Sequence, residues 1–292
     1  MTILDGKKTS SDIKDEIAEA VKKLKSEGKK TPHLAAILVG SDGASMTYVN
    51  AKVKACDFVG FNSTLIDLPE NTSEETLLEK IQKLNSDSDI DGFIVQLPLP
   101  KHIDKQKVLM SVNPDKDVDG FHPTNVGRIT LDLPCFLPAT PFGIMELLER
   151  YKVETSGSNV VVIGRSHIVG RPMSILMSQK RNAGNATVTV AHSRTKNLSE
   201  ITQKADIIIA ALGIPEFLTA EMVKEGVTII DVGITRVPDA TKPRGYRLAG
   251  DVHFESVSKK AAFITPVPGG VGPMTIAMLL KNTLLACQKN DN

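Results

Sequence analysis

One lysine is a candidate acid–base group because of the residues beside it on a predicted helix. The segment from residue 43 to residue 60 has helical spacing, and Ser45, Tyr48 and Lys52 fall on one stripe of it. The adjacent stripe is apolar, so Lys52 borders the predicted buried face. Burial disfavours the charged ammonium and would adapt such a lysine to proton transfer. The alternative is a lysine whose head reaches solvent from an apolar surface, and the segment alone favours that alternative.

Polar side chains in two further segments need a partner or a ligand. Gln96 lies in the apolar run Phe93–Pro100, where an unpaired amide would cost stability. Asp115, Asp117 and Asp119 crowd into a later loop and would suit a divalent cation. However, the loop lacks the length and the terminal glutamate of an EF-hand, so we expect no metal site. The alternative is a carboxylate that recognises a guanidine-like ring edge.

The segment Val160–Pro172 predicts a strand, a tight turn and the start of a helix. Gly164 ends the strand, Gly170 allows the helix to pack closely on it, and Pro172 suits the first helical turn. Free N–H groups at such a helix start bind anions. The glycine spacing differs from the usual dinucleotide-binding pattern, so this turn alone gives weak support for a cofactor site.

The end of the next predicted strand indicates which dinucleotide would bind. An NAD site usually has an acidic residue there, which binds ribose hydroxyls. Residues Ala191–Thr195 include no acid but offer Ser193 and Arg194, which suit a 2′-phosphate together with Arg165. The residues therefore favour NADP over NAD. The alternative is a surface turn with two solvated arginines.

Alternating strands and helices would position these residues. Short apolar runs predict seven strands: Leu34–Val39, Ser63–Leu68, Gly92–Leu97, Asn159–Ile163, Ala186–Ala191, Ile207–Ala210 and Val227–Val232. Amphipathic segments between them predict helices, and this alternation predicts parallel sheets covered on both faces. Gly213 and Gly233 follow two of the strands, at the sheet edge where such folds bind ligands.

Capping residues predict where two of the helices begin. Ser10 or Ser11 would cap the first helix, and Thr72 with Glu75 would form a capping box before a later one.

A stretch rich in Pro and Gly, residues 113–140, predicts a domain boundary. Helices after Pro141 and Pro273 would connect two α/β domains on either side of it. One continuous doubly wound sheet is the alternative.

Composition excludes several classes of protein. The 292 residues are 41% hydrophobic and 24% charged, as in a globular chain. Only 4% are aromatic, and 35 Lys and Arg nearly balance 34 Asp and Glu, so we expect no nucleic-acid or membrane partner. The polar start is not a signal peptide, and no apolar run suits a membrane span. Three widely separated cysteines suit a reducing, cytoplasmic location.

Taken together, these segments closely resemble the bifunctional methylenetetrahydrofolate dehydrogenase/cyclohydrolases, the FolD-type enzymes, over nearly the whole chain. The motifs that carry the resemblance are Tyr48–Lys52, Asp91–Pro100, Lys116–Gly120, Gly164–Gly170 and the highly specific Thr265–Thr275. The resemblance implies NADP-dependent oxidation of 5,10-methylenetetrahydrofolate to the 5,10-methenyl form, then hydrolysis to 10-formyltetrahydrofolate. These reactions belong to tetrahydrofolate interconversion in one-carbon metabolism, which serves purine biosynthesis.

Roles for the folate-binding residues follow from the resemblance. Lys52 would be the main acid–base group of the cyclohydrolase step, and Gln96 would hydrogen-bond it. Tyr48 would pack against the aminobenzoyl ring and help position Lys52, and Asp119 would bind the amino edge of the pterin. The implied folate pocket further includes Ser45, Pro266, Pro268, Gly269 and Gly270.

Cofactor binding and assembly are implied in the same way. The expected NADP-binding residues are Gly164, Arg165, Ser166, Ser193, Arg194, Ile234 and Thr275, the last near the nicotinamide. The implied fold has two α/β domains around a cleft. Residues 1–140 plus 272–292 would bind folate and catalyse, and residues 141–271 would form a Rossmann-type NADP-binding domain that joins two chains into a homodimer.

Three other functions remain open on sequence alone. They are another two-domain NADP dehydrogenase, with a shikimate-like or amino-acid substrate, a dehydrogenase without hydrolase activity, and a nucleotide sensor that binds NADP without turnover.

Overall fold

The computed structural model describes residues 1–40 and 43–290. In chain order its elements are β1 (Thr2–Ile3), α1 (Gly6–Ser26), β2 (His33–Val39), α2 (Gly43–Val59), β3 (Asn62–Leu68), α3 (Glu74–Ser86), β4 (Gly92–Val95), α4 (Lys105–Ser111), α5 (Pro123–Thr130), α6 (Ala139–Arg150), β5 (Asn159–Ile163), α7 (Gly170–Ser178), β6 (Thr187–Ala191), α8 (Leu198–Thr202), β7 (Ile207–Ala210), β8 (Thr228–Asp231), β9 (Thr235–Pro238), β10 (Tyr246–Ala249), α9 (Phe254–Val257), β11 (Phe263–Ile264) and α10 (Val271–Asn290). All seven predicted strands are present, displaced by at most two residues at either end.

The chain divides into two compact units. The three-stranded unit comprises Ser11–Ala139 and Ile276–Asn292, and the six-stranded unit comprises Met1–Ser10 and Thr140–Thr275. Two separate parallel sheets confirm two α/β domains rather than one continuous sheet. The two units differ from the expected domains at the start of the chain, because β1 pairs with β11 and so joins the six-stranded unit. The six-stranded unit also extends to Thr275 rather than to residue 271.

The three-stranded unit is built on the strand order β3-β2-β4, with parallel pairing throughout. The central strand β2 is buried along most of its length, as expected for a parallel strand covered on both faces. One of its faces packs on α3, where Leu77 and Ile81 are fully buried with Phe93 of β4. α1 buries an apolar stripe formed by Ile13, Ile17, Val21 and Leu24.

The six-stranded unit has the strand order β1-β11-β8-β7-β5-β6, and every neighbouring pair is parallel. Strands β7 and β8 are buried at every residue, whereas the edge strand β6 is largely exposed. An antiparallel hairpin of β9 and β10 was not predicted, because its strands are short and separated by a polar loop with Pro and Gly.

Helix starts differ from the predicted ones at four places. Asp5 caps α1, since its Oδ1 accepts the Lys8 N–H at 2.9 Å, so the predicted caps Ser10 and Ser11 lie inside the helix. Ser73 caps α3 by accepting the Thr76 N–H, and the Thr72 hydroxyl donates instead to the Pro69 carbonyl.

The helices α6 and α10 begin two residues before the prolines that predicted them. Within the described residues, no helix is long and apolar enough to cross a membrane.

Candidate active site

Lys52 lies on α2 and is only 9% exposed, so it is not the solvent-seeking lysine of the alternative interpretation. Its Nζ donates a hydrogen bond to Oε1 of Gln96 at 3.0 Å. Gln96 follows β4, and its backbone N–H donates to the Ile37 carbonyl at 2.9 Å. Its Nε2 donates to the Leu97 carbonyl at 2.7 Å, which turns Oε1 towards the lysine. The partner that Gln96 requires is therefore Lys52.

Electrostatics around Lys52 favour proton exchange. Burial lowers the pKa of Lys52, and the charge of Asp119 partly opposes this effect. Burial also raises the pKa of Asp119, and Lys52 opposes that shift. The buried Cys56 thiol, one helical turn after Lys52, has a pKa raised by burial to about 12 and stays neutral.

The loop after β4 places Asp117 and Asp119 in different hydrogen-bonding environments. Asp117 is buried and accepts three hydrogen bonds, from the backbone N–H groups of Phe121 and His122 and from Asn125 Nδ2. Burial raises its pKa to about 6 despite these donors. Asp119 accepts no hydrogen bond from any residue that the structure describes, so its carboxylate is available to a ligand. Residues 1–40 and 43–290 contain no group of three or more His, Cys, Asp or Glu side chains that could hold a metal.

Tyr48 and Ser45 lie on the same helix as Lys52, at the predicted spacing. Tyr48 is 39% exposed, so part of its side chain is accessible to a ligand. Ser45 is buried. The predicted stripe is therefore present, with its aromatic member at the surface.

Steric requirements explain the two glycines of the turn after β5. Gly164 has φ +130°, and a Cβ there would lie 2.3 Å from the Ala211 carbonyl oxygen. Gly170 begins α7, and a Cβ there would lie 2.2 Å from the Gly164 carbonyl oxygen. Ser166 Oγ accepts the N–H groups of Val169 and Gly170 at the start of that helix. The turn thus brings backbone close to the first turn of α7, as a dinucleotide site requires.

Two arginines follow neighbouring strands. Ile163 at the end of β5 pairs with Ala191 at the end of β6, and Arg165 and Arg194 lie exposed just beyond them. In the described part of the chain neither arginine forms an ion pair. His192 Nδ1 accepts the Arg194 N–H at 3.2 Å and holds the turn. These cations fit the 2′-phosphate that distinguishes NADP from NAD.

Buried carboxylates that the sequence analysis missed hold the turns after β7 and β8. Asp251 Oδ2 accepts the N–H groups of Leu212 and Gly213, at 2.5 and 3.0 Å. Asp231 accepts the N–H groups of Gly233 and Asp251, at 3.0 and 2.8 Å, and burial raises its pKa to about 7. An acidic residue directly before the glycine turn after β8 was the available signal. Ile234, next to this turn, is 48% exposed.

The predicted pocket wall from Pro266 to Gly270 follows β11 in the six-stranded unit. The Val267–Pro268 peptide is cis, and Gly269 has φ +107°. The Gly269 carbonyl accepts the Lys7 N–H at 2.9 Å. Thr275, expected near the nicotinamide, forms a 3.0 Å hydroxyl–hydroxyl hydrogen bond with Thr140.

Family models match both parts of the chain. The tetrahydrofolate dehydrogenase/cyclohydrolase catalytic domain matches residues 4–119, and the NAD(P)-binding domain of the same family matches residues 138–291. The chain belongs to the tetrahydrofolate dehydrogenase/cyclohydrolase family. This match confirms the predicted family, its two activities and the use of a nicotinamide cofactor. The cofactor agrees with the prediction of NADP.

Individual members of the tetrahydrofolate dehydrogenase/cyclohydrolase family match the full length. The bifunctional protein FolD of Flavobacterium johnsoniae is 70% identical over 98% of this chain and 97% of its own. The crystal structure of a bifunctional FolD from Campylobacter jejuni is 51% identical, with a TM-score of 0.93 and 99% of each chain covered. FolD of Trypanosoma brucei, whose structure holds NADP and an inhibitor, is 40% identical, with a TM-score of 0.94 over 100% of this chain and 99% of that one.

Proposed function

We propose that Lys52 is the acid–base group with which this enzyme hydrolyses 5,10-methenyltetrahydrofolate. The observation that carries the proposal is the 3.0 Å hydrogen bond from Lys52 Nζ to Gln96 Oε1 in a buried setting. Burial lowers the pKa of Lys52, so more of it is the neutral amine that accepts protons at physiological pH. Gln96 holds one N–H of that amine and thereby orients its lone pair.

The hydrolysis needs one water and three proton transfers. Lys52 accepts a proton from the water as its oxygen bonds to the cationic methenyl carbon. The resulting ammonium donates that proton to N5 of the folate as the carbon–N5 bond breaks. The new hydroxyl loses its proton to solvent and becomes the formyl carbonyl. One water is consumed and one proton is released overall, and no metal is required.

Asp119 is proposed to bind the pterin. Its carboxylate has no hydrogen-bond donor among the described residues, and a pterin offers adjacent N–H groups along its amino edge. The exposed ring of Tyr48 is proposed to pack against the aminobenzoyl group. The remaining proposed folate contacts are Ser45, Pro266, Pro268, Gly269 and Gly270.

The proposed cofactor residues lie in the six-stranded unit. NADP, when bound, supplies the hydride acceptor for oxidation of the methylene carbon of 5,10-methylenetetrahydrofolate. Arg165, Ser193 and Arg194 would hold the 2′-phosphate, while Gly164 and Ser166 bring the start of α7 to the pyrophosphate. Ile234 and Thr275 are proposed to contact the nicotinamide half.

Assembly and location complete the proposal. We propose a homodimer formed through the six-stranded unit, and a cytoplasmic enzyme. A measurement of solution mass at micromolar concentration tests the first, and a mass equal to one chain would contradict it.

Replacement of Lys52 tests the central assignment. In Lys52→Met, we expect cyclohydrolase activity to fall at least about 100-fold, because the proton acceptor is lost. NADP affinity should be unchanged, since its proposed residues lie in the other unit. The rate of methenyltetrahydrofolate hydrolysis and the dissociation constant for NADP are measured.

Lys54 gives a matched control for this test. It lies on α2 but is exposed, so Lys54→Met should hydrolyse at the wild-type rate. Hydrolysis by Lys52→Met at that same rate would refute the role of Lys52.

A further inference from the structure

Asn282, on α10, is a buried polar residue that none of the roles above explains. It is 1% exposed, and its Nδ2 donates two hydrogen bonds, to the Val118 carbonyl at 2.8 Å and to the Leu137 carbonyl at 2.9 Å. The side-chain amide thus uses both of its N–H groups on backbone acceptors from two different segments.

These two segments are packed against each other next to Asp119. Gly120 has φ +71°, and a Cβ there would lie 2.6 Å from the Pro138 backbone nitrogen. The loop that carries Asp119 therefore packs closely against residues 136–138 at Gly120. Asn282 joins the two segments beside this contact.

The preceding part of the loop is fixed to the sheet. The Phe93 N–H donates to the Lys116 carbonyl at 3.0 Å, and Asp117 forms an isolated parallel bridge with Phe93. The Asp117 carboxylate binds the chain that follows, at Phe121 and His122. Between these anchors, the peptide that joins Val118 to Asp119 is held by Asn282.

The position of the Val118–Asp119 peptide determines where the Asp119 carboxylate lies. A peptide unit is planar, so fixing the Val118 carbonyl oxygen also fixes the nitrogen and Cα of Asp119. On the other side of Asp119, the Gly120 N–H donates to the Asp117 carbonyl at 3.0 Å, so the backbone on both sides of Asp119 is held and the direction of its side chain follows from its rotamer. Asp119 has no described hydrogen-bond donor to hold it, so its backbone is what sets its position.

We propose that Asn282 is a positioning residue for folate binding, which acts by holding the Val118–Asp119 peptide so that the Asp119 carboxylate meets the pterin edge. The proposal rests on the proposed role of Asp119. Asn282 itself has no contact with the substrate. Its loss leaves two buried carbonyls without this donor, and the loop shifts to reach other partners.

The test measures steady-state hydrolysis of 5,10-methenyltetrahydrofolate by the full chain. In Asn282→Ala, KM should rise about tenfold with kcat changed less than about twofold, and NADP affinity should be unchanged. Asn282→Leu keeps a similar shape without any donor, so it should behave as Asn282→Ala. A wild-type KM in Asn282→Leu would assign the effect to packing and overturn the proposal.

A neighbouring residue separates positioning from stability. Thr283 is also fully buried on α10, but its hydroxyl donates to the Leu279 carbonyl within the helix. Thr283→Ala should leave KM at the wild-type value even where its melting temperature falls. Should Asn282→Ala fail to fold, Asn282→Ser, which keeps one donor, should give a smaller rise in KM.

A double-mutant cycle with Asp119→Asn distinguishes the proposed role of Asn282 from the proposed role of Asp119, on which it rests. Asp119→Asn alone should raise KM, and adding Asn282→Ala should then raise it less than about twofold further. A wild-type KM in Asp119→Asn would refute the role of Asp119. A raised KM in Asp119→Asn, with Asn282→Ala either silent or fully additive, would refute only the role of Asn282.

Discussion

At the scale of residues, the protonation of Lys52 depends on opposing influences. Burial lowers its pKa, whereas the negative charge of Asp119 raises it. A ligand that pairs with Asp119 removes part of the second influence, so binding of the pterin should itself favour the neutral amine. Recognition of the substrate and activation of the base are thus coupled through one carboxylate.

The pH dependence of hydrolysis tests this coupling. The rate should rise with pH through the pKa of Lys52, because the neutral amine is the active form. Asp119→Asn removes the charge that raises this pKa, so the acid limb of kcat/KM should move to lower pH, although kcat/KM itself falls.

Asp115 is the control, since it belongs to the same loop and its side chain is 68% exposed. Asp115→Asn should leave the limb in place. An acid limb that moves to higher pH in Asp119→Asn would contradict the electrostatic account.

At the scale of elements, the start of α1 provides a direct test of helix capping. The Asp5 carboxylate accepts the Lys8 N–H and places a negative charge at the helix N-terminus. Asp5→Ala should lower the free energy of unfolding by about 1 kcal/mol. Ser11→Ala, at an exposed position inside the helix, should change it by less than about 0.5 kcal/mol. Urea denaturation measures both, and equal losses would contradict the assignment of the cap.

Hydrophobic periodicity and composition predicted most of the strands, whereas capping side chains did not predict where the helices begin. The seven predicted strands are apolar runs, which the sequence displays directly. β1 and β11 have two residues each. β1 pairs with β11, and β11 pairs also with β8, so these short strands depend on distant partners and no local signal marks them. The caps failed because Ser10 and Thr72 have capping side chains but lie away from the true helix starts.

In the candidate site, too, some features follow from local sequence patterns, whereas others depend on tertiary packing. The stripe of Ser45, Tyr48 and Lys52 follows from helical spacing. That Gln96 meets Lys52 depends on how α2 packs on the three-stranded sheet, and only the resemblance anticipated it. Asp117 and Asp119 cannot be told apart by type or spacing, because the hydrogen bonds of the folded loop decide which one is free.

At the scale of the whole molecule, the chain passes between the units three times, within α1, at the start of α6 and within α10. The first ten residues therefore support the six-stranded unit. Leu4 is fully buried, and its N–H donates to the Ile264 carbonyl at 2.9 Å.

Leu4→Ala should destabilise the six-stranded unit by about 2–5 kcal/mol, because a large buried side chain is lost. Amide hydrogen exchange should become faster in β11 and β8, while β2 and β4 stay at wild-type rates. Ile3→Ala, at a position that is 37% exposed, serves as the control. Faster exchange confined to β2 and β4 would contradict the grouping of the first residues with the six-stranded unit.

The pairing of β1 with β11 can form only late in translation. β1 leaves the ribosome long before Ile264, the partner of Ile3, is made. At about 5–20 residues per second, the first strand waits unpaired for on the order of 10–50 s. α10, which carries Asn282, is made later still. Ribosome-bound chaperones would therefore meet this chain while both of its units are incomplete.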